Sequence, residues 1–337
     1  MLNKAVINLG EIKNNALLLK KKLNKGVKFC AVVKADAYGH GAEEVSSILY
    51  NTADCFAVAL FEEAKRLRLC GIDKDILCLI PFFPSEVSSA VKLNLTATVY
   101  EKEHLKMLSN CAQSQGVKIK VHIKYDTGMN RQGVKGLENL KKLLDFAFNL
   151  DGIEVDGLYS HFFAPENKNA LLSQVDKFLL ANNLIKGYNN KVTCHISASG
   201  GFLSGVQMDM VRFGILLYGY KPFDSDVVSV KPALKVFAPV LSTKKLKFGE
   251  RALYGGKIAQ HDTDISLVRC GYADGIFRTE TDELFNNRCM DVSAYRGELD
   301  GWACVMDDAE RLAREHKTIS YEILTNAAKR AEKIYLR

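Results

Sequence analysis

Residues 27–41 read VKFCAVVKADAYGHG, a nearly all-apolar run that stops at Lys34 and gives way to a polar turn punctuated by glycine. An apolar run of this length, with no polar alternation, reads as a strand buried on both faces of a parallel sheet. The same motif of short apolar run and helical segment recurs to about residue 220. The predicted strands are Val27–Lys34, Cys55–Leu60, Asp75–Ile80, Thr96–Val99, Val117–Tyr125, Ile153–His161, Val192–Ser197 and Met208–Arg212. Between them, apolar residues spaced by three and four predict helices over Ala42–Tyr50, Glu62–Cys70, Glu101–Gln115, Leu137–Leu150 and Asn169–Tyr188. Eight βα units match a TIM (β/α)8 barrel, since open doubly wound sheets usually stop at about five or six strands. After Pro222 the punctuation changes, with Pro232 and Pro239 close by. The expectation is an α/β chain: a barrel domain over 1–228 and a mostly-β domain over 229–337. In the second, Val236–Thr243, Ala252–Ile258 and Ile265–Cys270 read as strands, Asp307–His316 as a helix, and a closing helix is predicted around Ile323–Ala331.

Composition narrows the function classes. With 47% hydrophobic and 25% charged residues, the chain is globular rather than disordered, collagen-like or coiled-coil. Its longest apolar runs, such as Ile76 to Phe83, are far short of the roughly 18 residues that cross a bilayer. The first residues, MLNKAVINLGEIKNN, lack a secretory apolar core, so a cytoplasmic location and no membrane association are expected. Lys plus Arg exceed Asp plus Glu by 46 − 39 = 7. The basic clusters, Lys20 to Lys22 and Lys244 to Lys247, are short and lack interleaved aromatics, so a small anionic ligand is favoured over nucleic acid. Nine cysteines without a C-x-x-C pair read as reduced buried thiols, with neither a disulfide framework nor a metal site.

Polar chemistry gathers where the predicted strands end. Lys34 closes the first, and burial there would lower its pKa and make its amine usable. Lys124 closes the fifth strand ahead of the loop Asp126–Gly133, which carries Arg131; Ser160 and His161 close the sixth; His195 to Gly201 follow the seventh; Arg212 ends the eighth, just before Gly214. One such residue is ordinarily a satisfied structural group, but convergence from five strands on one rim is what barrel active sites require. The small, hydroxylated stretch Ser197–Gly201 ahead of a helical turn suits a phosphate, as does the bare backbone of Gly214.

These same residues carry a family resemblance. K-A-D-A-Y-G-H-G at 34–41 resembles the pyridoxal phosphate attachment segment of alanine racemases. D-T-G-M-N-R at 126–131, S-H-F at 160–162, V-R-F-G-I at 211–215, L-Y-G at 253–255, G-Y-A-D-G at 271–275, C-M-D at 289–291 and S-Y-E at 320–322 follow in the family's order. The resemblance implies a pyridoxal 5'-phosphate-dependent, homodimeric racemase that interconverts L- and D-alanine and supplies D-alanine for peptidoglycan. Lys34 resembles the lysine that bonds the cofactor and serves as one catalytic base. Tyr254 resembles the opposite base, contributed across the dimer interface so that both faces of Cα are served. Arg212 resembles the arginine at the cofactor's ring nitrogen, with His161 beside it. Tyr38, Ser199, Tyr321, Gly214 and Ile215 resemble its phosphate ligands. Arg131 matches an arginine near the substrate carboxylate and the cofactor's phenolic oxygen, Met290 and Asp291 match a partner-subunit loop that helps place that carboxylate, and Lys124 matches a lysine often carbamylated in the family.

Departures from the family pattern are visible too. Ala198 stands where an asparagine is common and Leu253 where a serine is common. The usual end after Tyr321 is replaced by Ala328 to Glu332, and 295–317 has no clear match to the usual strands. Two alternatives are a racemase acting on serine or a broad range of amino acids, and a noncatalytic carrier of the cofactor.

Overall fold

The computed structural model describes residues 2–255, 257–278, 281 and 283–337. The chain opens with β1 (Asn3–Asn8) and α1 (Leu9–Lys21). It continues through β2 (Lys28–Val32), the short turn α2 (Lys34–Tyr38), α3 (Ala42–Leu49), β3 (Cys55–Val58), α4 (Phe61–Leu69), β4 (Ile76–Cys78) and α5 (Pro84–Lys92). Then come β5 (Thr96–Val99), α6 (Lys102–Ser114), β6 (Ile119–Lys124), α7 (Leu137–Phe148), β7 (Ile153–Tyr159), α8 (Lys168–Lys186), β8 (Thr193–His195), α9 (Ser199–Leu203) and β9 (Met210–Phe213).

Residues 13–35 and 42–230 form one compact unit. Its eight strands pair in parallel in the order β8-β7-β6-β5-β4-β3-β2-β9. The ring closes between β8 and β9, where Asp209 N–H donates to the Cys194 carbonyl at 3.0 Å and Arg212 N–H to that of Ser197 at 3.1 Å. This is the expected (β/α)8 barrel, with all eight predicted strands present: Thr96–Val99 keeps its bounds, β9 starts later and runs on to Phe213, and the other six are shorter than predicted. The helices bury one stripe each, as their periodicity requires: Leu105, Leu108, Ser109 and Ala112 on α6, and Leu140, Leu143, Leu144 and Ala147 on α7. Helix starts are sealed by acceptors for free N–H groups. The Asn167 side chain receives Ala170 N–H at 3.1 Å, and the Glu86 carboxylate receives Phe83 N–H at 2.8 Å. Helix α5 was not predicted, but Pro84 in its first turn is a start signal.

The second unit holds the remaining residues, including those up to Ile12 and Asp36–Gly41. It adds β10 (Leu234–Leu246), β11 (Thr263–Val268), β12 (Ser293–Arg296), β13 (Trp302–Met306), α10 (Ala309–Glu315), α11 (Ser320–Ala327) and β14 (Ala331–Leu336). The sheet runs β12-β11-β10-β1-β14, with β13 also on β10. Strand β1 thus lies between strands more than two hundred residues away, antiparallel to β10 and parallel to β14.

Three expectations are corrected. Ala252–Ile258 is not a strand: Arg251 and Ile258 form an isolated bridge, and Leu253 (φ 58°) and Gly255 (φ 95°) lie in the left-handed region, which breaks the pleat. Gly256 lies outside the described residues. The chain closes on a strand rather than a helix, because α11 stops at Ala327 and the parallel partner β1 claims Ala331–Leu336. All nine cysteines are free, but Cys70 and Cys304 are exposed rather than buried. Among the described residues no helix is long and apolar enough to cross a membrane.

The seam between β2 and β9 is packed by aromatic rings, with Phe213 4.7 Å from Phe29 and 5.0 Å from Phe202, centroid to centroid. Phe213 is fully buried. Phe213→Ala is expected to cost about 3–5 kcal/mol, read as a lower urea midpoint at unchanged m. A loss under about 1 kcal/mol would mean that the seam does not depend on this ring.

Candidate active site

Lys34 stands two residues past β2, at the carboxyl-end rim of the barrel. Immediately after it the backbone turns left-handed: Ala35, Asp36, Ala37 and Tyr38 have φ between 51° and 54°. Each such non-glycine residue costs about 1–2 kcal/mol, so the conformation persists only where surroundings enforce it. On the barrel side, the Glu63 carboxylate accepts Ala35 N–H at 2.6 Å and, through its other oxygen, Ala59 N–H at 2.8 Å. In the second unit, Lys333 pairs with Asp36, Gly41 N–H donates to the Asp36 carbonyl at 2.9 Å, and His40 Nδ1 lies 3.0 Å from the carbonyls of Ala37 and Tyr38. Gly39 (φ 85°) completes the turn, and a Cβ there would sit 2.4 Å from the Leu324 carbonyl oxygen.

The barrel rim is rich in cations. Burial lowers the pKa of Lys34, and Arg131 and Arg212 add to the effect against an opposing Glu63. Lys124, the last residue of β6, donates to Gln132 Oε1 at 3.0 Å and lies 5.3 Å from the Tyr159 ring centroid. Its pKa is pushed down to about 8, first by burial and then by Arg131 and Arg212. The loop that carries Arg131 is folded on Asp126, whose Oδ1 accepts Gly128 N–H at 2.8 Å and Asn130 N–H at 3.2 Å. Arg131 itself is exposed.

Arg212 is buried on β9. Its Nη2 donates to the Ser160 carbonyl at 2.8 Å and the Ile196 carbonyl at 3.2 Å, and lies 3.2 Å from His161 Nδ1; its Nη1 lies 2.5 Å from His195 Nδ1. Burial, then the Arg212 charge, holds both His161 and His195 well below the ordinary histidine range, so both are neutral acceptors at pH 7. Nearby, Ser199 opens the short helix α9 and its Oγ accepts Gly214 N–H at 3.3 Å, after which Ile215 begins a 3-10 turn. Gly200 and Gly201 keep this corner tight: a Cβ would meet Pro165 at 2.6 Å and Phe162 at 2.7 Å. In the barrel unit the structure therefore gathers Lys34, Lys124, Arg131, His161, Ser199, Arg212, Gly214 and Ile215 on the strand ends and the loops that follow them.

In the second unit the Tyr38 and Tyr321 rings are 5.9 Å apart. Burial raises both phenols, Tyr321 to about 12, so they stay protonated donors. Tyr254 is 73% exposed, while Leu253 before it packs against the Leu246, Ile265 and Phe285 cluster and Asn286 Nδ2 donates to the Tyr254 carbonyl at 2.6 Å. Met290 is exposed as well. Neither side chain is core packing. Asp291 accepts from Arg330 Nη1 at 2.9 Å, so the atypical C-terminal segment supplies an arginine that holds this loop.

Sequence reasoning missed His122 and Asp156, which lie within strands rather than at their ends, and Tyr159, the last residue of β7. Tyr159 stacks on His195 with ring planes 5° apart and shares a 2.8 Å hydrogen bond with Thr98. Among the described residues, no group of His, Cys, Asp and Glu could hold a metal ion.

The eight-stranded barrel, whose rim presents a lysine of lowered pKa among arginines, and the β-rich unit that follows it in sequence each match a known domain. Residues 7–222 match the model of the alanine racemase N-terminal domain and 233–335 that of the C-terminal domain. The alanine racemase of Aquifex pyrophilus is 32% identical over 335 residues, covering 93% of this chain and 92% of its own. That of Thermodesulfovibrio yellowstonii is also 32% identical, covering 98% and 97%. The solved alanine racemase of Clostridium difficile 630 superposes with a TM-score of 0.93 at 29% identity, over 100% of this chain and 96% of its own. The chain belongs to the alanine racemase family, and the enzyme is accordingly an isomerase.

Because folding depresses the Lys124 pKa, its protonation opposes the fold. The penalty is full below about pH 8 and fades as pH rises toward 10.5. Arg131→Gln removes a cation that disfavours protonation of Lys34 and Lys124, so the pH midpoint at which each amine reacts with acetic anhydride is expected to rise. Mass spectrometry of the labelled peptides reads both midpoints; unchanged values would contradict the electrostatic account.

Proposed function

We propose that this enzyme interconverts L- and D-alanine with pyridoxal 5'-phosphate as its cofactor, in the cytoplasm, as a homodimer, and that its product feeds peptidoglycan synthesis. The observation that carries the reading is Lys34: an amine of lowered pKa at a barrel strand end, amid arginines that favour an anionic partner. The residues fit the cofactor. In the barrel unit the rim offers cations for its negative groups, and the Ser199 hydroxyl with the Gly214–Ile215 backbone suits a phosphate; in the second unit Tyr38 and Tyr321 offer hydroxyl donors of the same kind. When bound, the cofactor supplies a covalent anchor and an electron-withdrawing ring that acidifies the substrate Cα–H.

The chain's own residues then divide the work. Lys34 would hold the cofactor, and its amine would take or return a proton on one face of Cα. Tyr254 of the partner subunit does the same on the other face, since inversion requires proton exchange on opposite sides. Its exposure in the single chain supports that role. Arg212 can only donate, so the group it faces must be an unprotonated acceptor, which moderates the ring's electron withdrawal and disfavours side reactions. His161 supports Arg212. Arg131, with Met290 and Asp291 of the partner subunit, places the substrate carboxylate. Lys124, with a pKa of about 8, has a neutral fraction able to add carbon dioxide, losing a proton to become an anionic carbamate that pairs with Arg131. A simple carrier of the cofactor needs no second unit and no exposed tyrosine, so both features favour the racemase.

Lys34→Ala is expected to lose the lysine-bound visible absorption band and to lower racemisation by roughly 100-fold or more. Rates across a panel of L-amino acids, read by circular dichroism, are expected to be highest for alanine. A serine rate equal to or above alanine would replace the substrate assignment, and an undiminished band in Lys34→Ala would replace the attachment site.

A further inference from the structure

We infer that Asp156, His122 and His195 form a directional hydrogen-bond relay that fixes Arg212, which makes Asp156 and His122 positioning residues of the site. The relay crosses four strands of the barrel unit. Arg212 Nη1 lies 2.5 Å from His195 Nδ1, His195 Nε2 lies 2.9 Å from His122 Nδ1, and His122 Nε2 lies 3.4 Å from Asp156 Oδ2. Both imidazoles are buried.

The proton order follows from one fact, that a guanidinium donates and never accepts. The His195 nitrogen facing it must therefore carry a lone pair, which puts the single proton of neutral His195 on Nε2. That proton can go only to His122 Nδ1, so His122 carries its own on Nε2 and gives it to Asp156. Read the other way, an anionic carboxylate orients two neutral rings so that a lone pair meets the guanidinium. His122 bonding accordingly holds the Asp156 carboxyl below the usual carboxylate range.

The backbone is built for this arrangement. Pairing of β6 and β7 shifts register between Val121 and His122: Val121 faces Val155 but His122 faces Gly157, so Asp156 is the extra residue of a bulge, which re-aims its side chain. Gly157 then leaves room for the imidazole, since a Cβ there would lie 2.4 Å from His122 Cγ. Tyr159, stacked flat on His195, and its hydrogen bond to Thr98 hold the second ring in plane.

The consequence for turnover rests on the proposed role of Arg212, whereas the proton order does not, and the test separates them. Holoenzyme labelled with 15N-histidine, with His122 and His195 assigned through His→Gln variants, is expected to show both rings neutral with the proton on Nε2. A proton on Nδ1 of either ring in the wild type would overturn the relay. Asp156→Asn can present an amide donor to His122 Nε2, reversing both rings and setting donor against donor at Arg212. It is expected to stay folded with the cofactor bound, at a melting temperature lowered by the buried donor pair, to alter the His122 and His195 nitrogen signals, and to lower kcat roughly tenfold to a hundredfold with KM nearly unchanged. Wild-type kcat and unaltered imidazole signals in Asp156→Asn would overturn the positioning role. If the wild type itself fails to racemise alanine, the functional proposal falls and the nitrogen signals alone decide the relay.

Discussion

A buried guanidinium must be ringed by acceptors, and Arg212 on the strand that closes the barrel imposes that condition on everything near it. Its neighbours comply: carbonyls from Ser160 and Ile196, and the Nδ1 atoms of His161 and His195. Burial keeps those histidines neutral, with the same positive charge adding to it, and burial followed by Arg131 depresses the pKa of Lys34 and Lys124, with a smaller share from Arg212. Burial together with these cations thus sets the protonation states of the rim. A usable amine and an affinity for anions are two results of one field.

The strain in the molecule is concentrated where the chemistry needs a defined geometry. Four consecutive left-handed residues follow Lys34, and they are clamped by Glu63 on the barrel side and by the Lys333 pair and Gly39 packing in the second unit. Removing such strain with glycine would free the backbone, but it would also loosen the position of the amine. Leu253 repeats the pattern on a smaller scale, with a left-handed residue anchored in a core cluster so that the adjacent Tyr254 points outward.

The barrel was legible because strands buried on both faces are apolar throughout, and the site was legible where polar residues interrupt them at their ends. Lys34, Lys124, His161 and Arg212 are all of this kind. His122 and Asp156 were not, because a histidine inside a strand looks like any satisfied core residue, and Asp156 falls inside the predicted strand Ile153–His161 with nothing local to mark a bulge. The bulge exists only in the pairing of β6 with β7, which no local pattern encodes. For the same reason β1 could not be placed from residues 3–8: its partners lie at the other end of the chain. Ala252–Ile258 has strand-like composition, but its left-handed residues decide the outcome.

The central claim is that a lysine and a tyrosine from two different chains flank one carbon atom. It is tested most directly by complementation. Lys34→Ala and Tyr254→Phe chains, each inactive alone, are co-expressed with different affinity tags, and the mixed species is isolated through both tags. Such a dimer has one site with both native groups and one site with neither, so the account expects racemisation to return at about half the wild-type rate per dimer. A doubly tagged species that binds the cofactor yet stays as inactive as its parents would contradict the account.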